Sequence, residues 1–375
     1  MSAANVTLEL CKDRSASHRL HLIGYSLIFT AGLLLNVAAL WIFLCYLKLK
    51  SVVSIYMLNL AVSDLLFTIS LPFRIYYYSE GEWPFGDFLC QVSASIFQIN
   101  MYGSCLFLTC INLDRFVAIV YPLRWRHLRR PKVARLLCLV VWVVILMGSV
   151  PVARVHKPTV CTKDNKSSTL CFESFSDGLW QSGLFPLVIL AEILGFLMPL
   201  ASVTYCSIRM FQKLCQAGGT PNLRQQKTIR MLVVNLVIFI ICFVPYNIIL
   251  AVYGMVKAHV IQTEAPTRDS LRNALVVTVL LASMNCTLDP LVYYFNTEGF
   301  RNTLKKLRRG QAWDSESGTL HARVMESKTY QVHNKAGAKR FAVKDLILSH
   351  ENQGKSLPFA SPKIFLSSPI EDSEI

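Results

Sequence analysis

Seven stretches of this chain are too long and too apolar to lie in water, and that pattern leaves few folds open. A helix crossing roughly 30 Å of hydrocarbon needs about 20 mostly apolar residues. Runs of that kind cover Leu20–Leu47, Val52–Tyr78, Phe88–Val120, Val133–Ala153, Leu179–Met210, Met231–Val256 and Asn273–Phe295. No charged residue falls between Arg19 and Lys48, or between Arg230 and Lys257. Lipid offers the backbone no hydrogen bonds, so such a run must satisfy itself as a helix. The sequence therefore predicts an all-α membrane protein, a seven-transmembrane helix bundle. Composition agrees, because 53% of the 375 residues are hydrophobic and only 16% are charged, which no ordinary soluble domain of this size tolerates.

The formal charge of +15 lies between and beyond the apolar runs, so it predicts no nucleic-acid partner. Lys48, Lys50, Arg124, Arg126, Arg129, Arg130, Lys132, Arg224 and Lys227 follow runs one, three and five; Arg301, Lys305, Lys306, Arg308 and Arg309 follow run seven. By the positive-inside rule these face the cytosol, and the N-terminal residues 1–19 face outward from the plasma membrane. The glycosylation sequons at Asn5 and Asn165 then fall on the outer side. Met1–Arg19 lacks the basic-then-apolar order of a cleavable leader, so the first run reads as a retained anchor of the bundle, residues 20–295. Residues 296–309 read as a short amphipathic helix on the membrane surface, with Phe300, Leu304 and Leu307 on its apolar face. Residues 310–375 are polar and aperiodic, and read as a disordered cytoplasmic tail.

Several function classes are disfavoured. The twelve cysteines show no CxxC pair and no metal-ligand spacing with histidine, so no metal site is expected. No GxSxG, HExxH or phosphate-binding loop is present, so the chain does not read as an enzyme. A channel or transporter would be expected to carry a repeated half or a charged through-path, and neither is visible.

What interrupts the apolar runs is informative. Asn36, Asp64, Asn100, Ser104, Asn285 and Asp289 sit at membrane depth, where lipid exposure is costly, so they should face one another. Asp64 with Asp289 and their hydroxyl and amide neighbours make a cage for a sodium ion or, alternatively, a purely hydrogen-bonded network. Nearer the outer ends, Arg74, Arg154, Lys257, Arg268 and Arg272 make the pocket basic, which suits an anionic ligand. The plainer readings are that Arg154 and Arg272 are solvated helix-end charges, and that Arg74 pairs with Glu82 or Glu192. Glu192, midway along run five, either pairs with a basic pocket residue or bonds to Tyr102.

The same positions resemble the rhodopsin-like G-protein-coupled receptors. The likeness rests on Asn36, Leu60-Ala61-Val62-Ser63-Asp64, Asp114-Arg115-Phe116, Trp142, Pro199, Cys242-Phe243-Val244-Pro245 and Asp289-Pro290-Leu291-Val292-Tyr293, each on the matching run. It implies a disulfide between Cys90 and Cys171, with Cys11 and Cys161 left as a candidate second pair. It also implies a switch: Asp114 holds Arg115 at rest, Arg115 turns toward a G protein on activation, and Tyr293 swings in beneath it. Pro245 would kink helix six as a hinge, and Phe239 and Phe243 would be a packed aromatic switch above it, or plain core. Ser207 departs from the family, which usually places a tyrosine there. Phe97 stands where amine receptors carry an aspartate.

Longer strings narrow the resemblance. Ser51-Val52-Val53-Ser54-Ile55-Tyr56-Met57 and Phe97-Gln98-Ile99-Asn100-Met101-Tyr102-Gly103-Ser104-Cys105 resemble lysophosphatidic acid receptors of the branch near the nucleotide receptors. Arg126-His127-Leu128-Arg129-Arg130-Pro131 and Cys171-Phe172-Glu173-Ser174-Phe175-Ser176-Asp177 resemble one subtype of that branch. The resemblance implies a phosphate-bearing lysolipid agonist and coupling to Gq and G12/13-class proteins; a nucleotide or carboxylic acid is the alternative ligand. The candidate ligand set is Arg74, Gln98, Tyr102, Arg154 and Arg272. Tail serines Ser315, Ser317, Ser367 and Ser368 fit kinase sites that recruit arrestin, and Ser373-Glu374-Ile375 fits a PDZ-binding terminus.

Overall fold

Lipid-buried segments have only themselves to bond to, and the computed structural model resolves them as long helices. It describes residues 15–47, 51–155, 158–163, 166–172, 184–215 and 223–308. Helix α1 (Ser15–Trp41) widens into a π-helical turn at Ile42–Tyr46. It is followed by α2 (Val52–Glu80), α3 (Gly86–Val120) and α4 (Pro131–Val155). A hairpin of β1 (Thr159–Lys163) and β2 (Lys166–Leu170) comes next. Helix α5 (Phe185–Cys215) carries a π-helical turn at Glu192–Leu197, and α6 (Leu223–Lys257) is continuous through Pro245. Helix α7 runs Ala265–Ser283, breaks at Met284 and resumes Asn285–Asn296; α8 (Glu298–Arg308) closes the described chain. Among the described residues, seven helices are long and apolar enough to cross a membrane, as the sequence predicts.

Local chemistry sets the helix ends. The Ser51 hydroxyl accepts the Ser54 amide at 3.1 Å and caps α2, which Gly81 ends at φ +72°, a left-handed conformation that favours glycine. Helices α6 and α7 start well before the expected Met231 and Asn273, at Leu223 and Ala265. The apolar run marks only the lipid-buried part, whereas the helical ladder continues into water. Pro266 in the first turn of α7 has no amide to leave unsatisfied.

The bundle is apolar on both sides and polar only within. Leu136, Leu139, Val143 and Met147 of α4 lie exposed on the lipid-facing side. Phe67, Phe107, Phe239, Phe243 and Tyr293 are fully buried. Close helix approaches use glycine: a Cβ on Gly195, within the α5 π-turn, would stand 2.5 Å from the Tyr102 ring of α3. At one end of the bundle, Cys171 is disulfide-bonded to Cys90 of α3, and the Trp83 amide donates to the Thr169 carbonyl at 2.8 Å. The antiparallel hairpin pairs Thr159 with Leu170 through Lys163 with Lys166. Sequence reading treated this segment only as a loop. Cys161 is disulfide-bonded; its expected partner Cys11, the sequons Asn5 and Asn165 and the tail from Gly310 lie outside the described residues. Phe300 of α8 is buried against Phe43 and Tyr293, at ring distances of 5.4 and 6.0 Å, and Leu304 joins the same core.

Substituting Gly195→Ala forces the Tyr102 ring off α5. The expected loss is about 1–3 kcal/mol from overpacking, read as a lowered thermal midpoint of the purified protein in detergent.

Candidate functional site

Three clusters of polar side chains break the apolar interior. Asp64 of α2 lies at the centre of the first. Its Oδ1 accepts from Asn100 Nδ2 of α3 at 2.8 Å, and its Oδ2 accepts from the Tyr293 hydroxyl at 3.2 Å. Asn285 Nδ2 donates to Asp289 Oδ2 at 2.8 Å, directly after the break in α7. Asn36 Nδ2 of α1 donates to the Cys286 carbonyl at 2.7 Å and so ties α1 to that break. All six sequence-predicted members, Asn36, Asp64, Asn100, Ser104, Asn285 and Asp289, are buried at 2% exposure or less. Ser104 Oγ, Asn285 Oδ1, Asp289 Oδ1 and Asn36 Oδ1 have no hydrogen-bond partner. Two buried carboxyl groups facing unpartnered neutral oxygens are a hard-oxygen donor set, and it fits a small cation. One positive charge there would relieve the repulsion between carboxylates in a low-dielectric interior.

The second cluster lies at the far end of α3 from the disulfide. Asp114 is not held to Arg115: its carboxylate takes Arg129 Nε at 2.9 Å and Arg129 Nη2 at 3.3 Å. Arg115 Nε is buried with no partner. The resting Asp114–Arg115 pair implied by the resemblance is therefore replaced by Asp114–Arg129. A planar guanidinium presented edge-on gives the bidentate geometry that a carboxylate favours. Arg129 stands in the basic string between runs three and four, where neither its charge nor the subtype resemblance points to Asp114. Deeper in, Phe239 packs edge-on against Phe243 at 5.2 Å and stacks on Phe196 of the α5 π-turn at 6.3 Å; Pro245 follows within α6. Ser207 is buried with its hydroxyl unpartnered, while Tyr205 is 56% exposed on the lipid side.

The third cluster is at the disulfide end. Arg74 of α2 is only 5% exposed. Its Nη2 donates to the Ser93 carbonyl at 2.8 Å, and Nε is unpartnered. Among the described residues no carboxylate pairs with it: Glu82 is exposed, and no hydrogen bond joins Glu192 to Arg74 or Tyr102, its Oε1 being buried without a partner. Aromatic rings surround the guanidinium instead. Phe172, next to the disulfide and at φ +65°, lies 4.2 Å from it, with Tyr25 and Phe97 both at 5.8 Å. Tyr246 packs edge-on against Phe97 at 5.6 Å. Of the other candidates, Gln98 and Tyr102 are half-buried on α3, Arg272 is half-buried on α7, and Arg154 is exposed at the last turn of α4. The aromatic cage escaped the sequence reading, because Tyr25 and Phe172 look like ordinary apolar positions until the fold brings them to Arg74. Separately, a cavity of about 480 Å³ opens on the α1–α2 seam at Pro72, lined by Phe29, Thr30, Ile75 and Tyr76.

Comparison with known proteins bears on these clusters. A family model described as "7 transmembrane receptor (rhodopsin family)" matches residues 35–293. The chain is 57% identical over 306 residues to lysophosphatidic acid receptor 5 of Mus musculus, covering 82% of each chain. It is 57% identical over 298 residues to the Bos taurus protein of the same name, covering 80% of this chain and 81% of that one. To lysophosphatidic acid receptor 6 of Homo sapiens it is 40% identical over 283 residues, which is 75% of this chain and 81% of the relative.

The polar core also makes a structural prediction. Asn100→Ala strips Asp64 Oδ1 of its donor in a site without water-like alternatives from lipid. The expected cost is about 1–3 kcal/mol, measured as a fall in thermal midpoint relative to the parent, with Asn100→Asp not restoring it.

Proposed function

The chain belongs to the rhodopsin family of seven-transmembrane receptors, and from that premise we propose that it is a receptor for a phosphate-bearing lysolipid, lysophosphatidic acid. It is a multi-pass plasma-membrane protein and not an enzyme. We place the disulfide end outside the cell and the Asp114 end in the cytosol, where Gq and G12/13-class proteins, and arrestin through the tail serines, would engage it. A PDZ protein at the terminal Ser373-Glu374-Ile375 is part of the same reading.

One observation carries the ligand class: Arg74 is a buried cation with no carboxylate partner among the described residues. Burying an unpaired charge is costly, and Arg74 meets only a carbonyl and aromatic faces. An incoming phosphate completes it, with two oxygens accepting in the guanidinium plane. The membrane-facing groove on the α1–α2 seam favours a ligand carrying an acyl chain over a water-borne nucleotide or carboxylic acid. Gln98, Tyr102 and Arg272, half-buried on α3 and α7, complete the proposed ligand set, and Arg154, exposed, would act by steering.

Arg74→Ala at matched surface density is expected to weaken the response to lysophosphatidic acid by roughly a hundredfold, from about 2–5 kcal/mol of lost charge pairing. The readout is G-protein dissociation against ligand concentration in cells without lysolipid receptors of their own. A flat parent response at normal surface density would overturn the ligand assignment and leave the receptor family intact.

We propose further that the Asp64–Asp289 cluster holds a sodium ion, with Ser104, Asn285 and Asn100 around it. The sodium form is expected to bind agonist more weakly. Exchanging sodium for choline should raise agonist affinity of the parent several-fold, and Asp64→Asn should abolish that sensitivity in a radioligand assay.

A further inference from the structure

Arg74 is not the only donor left unpartnered where it lies. Tyr25 of α1 is 0% exposed and its hydroxyl has no hydrogen-bond partner; His21, one turn earlier, is 7% exposed and its ring bonds the Ser17 backbone, but its Nδ1 has no partner. Buried hydroxyl and imidazole groups are normally bonded, since leaving them dry is costly. These two cannot turn away to find a partner. The His21 ring is stacked on Tyr78 at 4.5 Å and on Tyr25 at 5.4 Å, and Tyr25 is stacked on Tyr78 at 5.8 Å. The Arg74 guanidinium stands 5.8 Å from that same Tyr25 ring. Phe172 covers one guanidinium face, and Ser93 occupies Nη2, so Nε remains on the planar edge with which arginine grips an oxyanion.

We infer that Tyr25 and His21 of α1, together with Arg74 of α2, form the seat of a phosphate monoester headgroup. The inference rests on the lysolipid reading of Arg74 and adds two ligand-contacting residues on a helix outside the candidate set. The Tyr25 O–H donates to one phosphate oxygen and Arg74 Nε to another. The His21 ring donates through its other nitrogen to the Ser17 carbonyl, so Nδ1 accepts from the P–O–H of the monoester monoanion. Two donors and one acceptor from two adjacent helices match a monoester, which offers three non-bridging oxygens, one of them protonated in the monoanion. A diester or carboxylate offers two. The seat therefore selects lysolipids with a terminal phosphate over those with a further group esterified to it.

The test uses the full-length receptor in cells, with lysophosphatidic acid and its phosphate monomethyl ester as the two probes. Tyr25→Phe and His21→Phe keep the stacked rings and delete only the polar atoms, and Arg74→Ala is run alongside. Each Phe variant is expected to weaken the response to the free monoester by roughly ten- to a hundredfold, as for a lost hydrogen bond to a charged group. The methyl ester, already short of one oxygen, should shift less, so the parent's preference between the probes narrows. Equal shifts for both probes would mean that the rings serve packing alone and would overturn the inference. So would unshifted Phe variants beside a strongly weakened Arg74→Ala, an outcome that leaves the lysolipid reading standing. A parent that answers neither probe overturns both. Should Tyr25→Phe fail to reach the surface, His21→Phe decides on the same criteria.

Discussion

Hydrocarbon offers no hydrogen bonds, and the arrangement of every polar group in this protein follows from that. A soluble domain sends its polar side chains out to water; here the exposed faces of α4 and α5 are Leu, Val, Ile and Met, and the carboxylates are inside. Asp64 and Asp289 can stay buried only because Asn100, Tyr293 and Asn285 bond them. Those bonds tie α2, α3 and α7 into one unit, and Asn36 adds α1 through the Cys286 carbonyl. Pro290, four residues on, has no amide to offer the Cys286 carbonyl and so leaves it free for Asn36. In this fold the polar core is also the clasp, so an ion or proton entering it acts on four helices at once.

The same constraint explains what was legible in the sequence. Segments that must satisfy themselves in lipid announce their length, and the spans, the polar six and the Cys90–Cys171 disulfide could all be placed from sequence and resemblance. Features that depend on which side chain meets which could not. The π-turns at Ile42–Tyr46 and Glu192–Leu197 leave no mark in an apolar run, yet the second one sets Gly195 against Tyr102 and Phe196 against Phe239. The Thr159–Leu170 hairpin is short and half polar, with strand character only once it is tied to Trp83 and Cys90. Arg129 was counted for its charge, and only the folded loop shows that it competes with Arg115 for Asp114. Tyr25 and His21 sit in a helix that reads as a plain anchor, where an aromatic is no signal at all.

At the disulfide end, the hairpin does more than cover the bundle. Cys171 fixes the chain to α3, and the next residue, Phe172, takes a left-handed backbone that a bulky side chain rarely adopts. That conformation lays its ring on Arg74 and brings its edge to Tyr77 and Trp83, at 5.6 and 5.3 Å. The cation–aromatic contact partly compensates a buried guanidinium, by about 2 kcal/mol at most when desolvated. It does not fill the donors. Arg74 is thus held in place and left with bonding capacity, which is what a preorganised anion site requires.

The opposite end shows a similar economy with different parts. In the family, a helix-five tyrosine usually stands at the position of Ser207, and here that serine is buried with its hydroxyl unpartnered while Tyr205 faces lipid. Tyr293 therefore has no phenol on α5 to meet, and it bonds Asp64 instead. Whatever holds Arg115 apart from Asp114 must come from elsewhere, and Arg129 supplies it with a bidentate grip. An exchange between two arginines for one buried carboxylate is a balance between Arg129, 35% exposed, and Arg115, buried at Nε. Arg115, buried and with Nε unbonded, is the side of that balance that gains most from an acceptor brought to this end of the bundle.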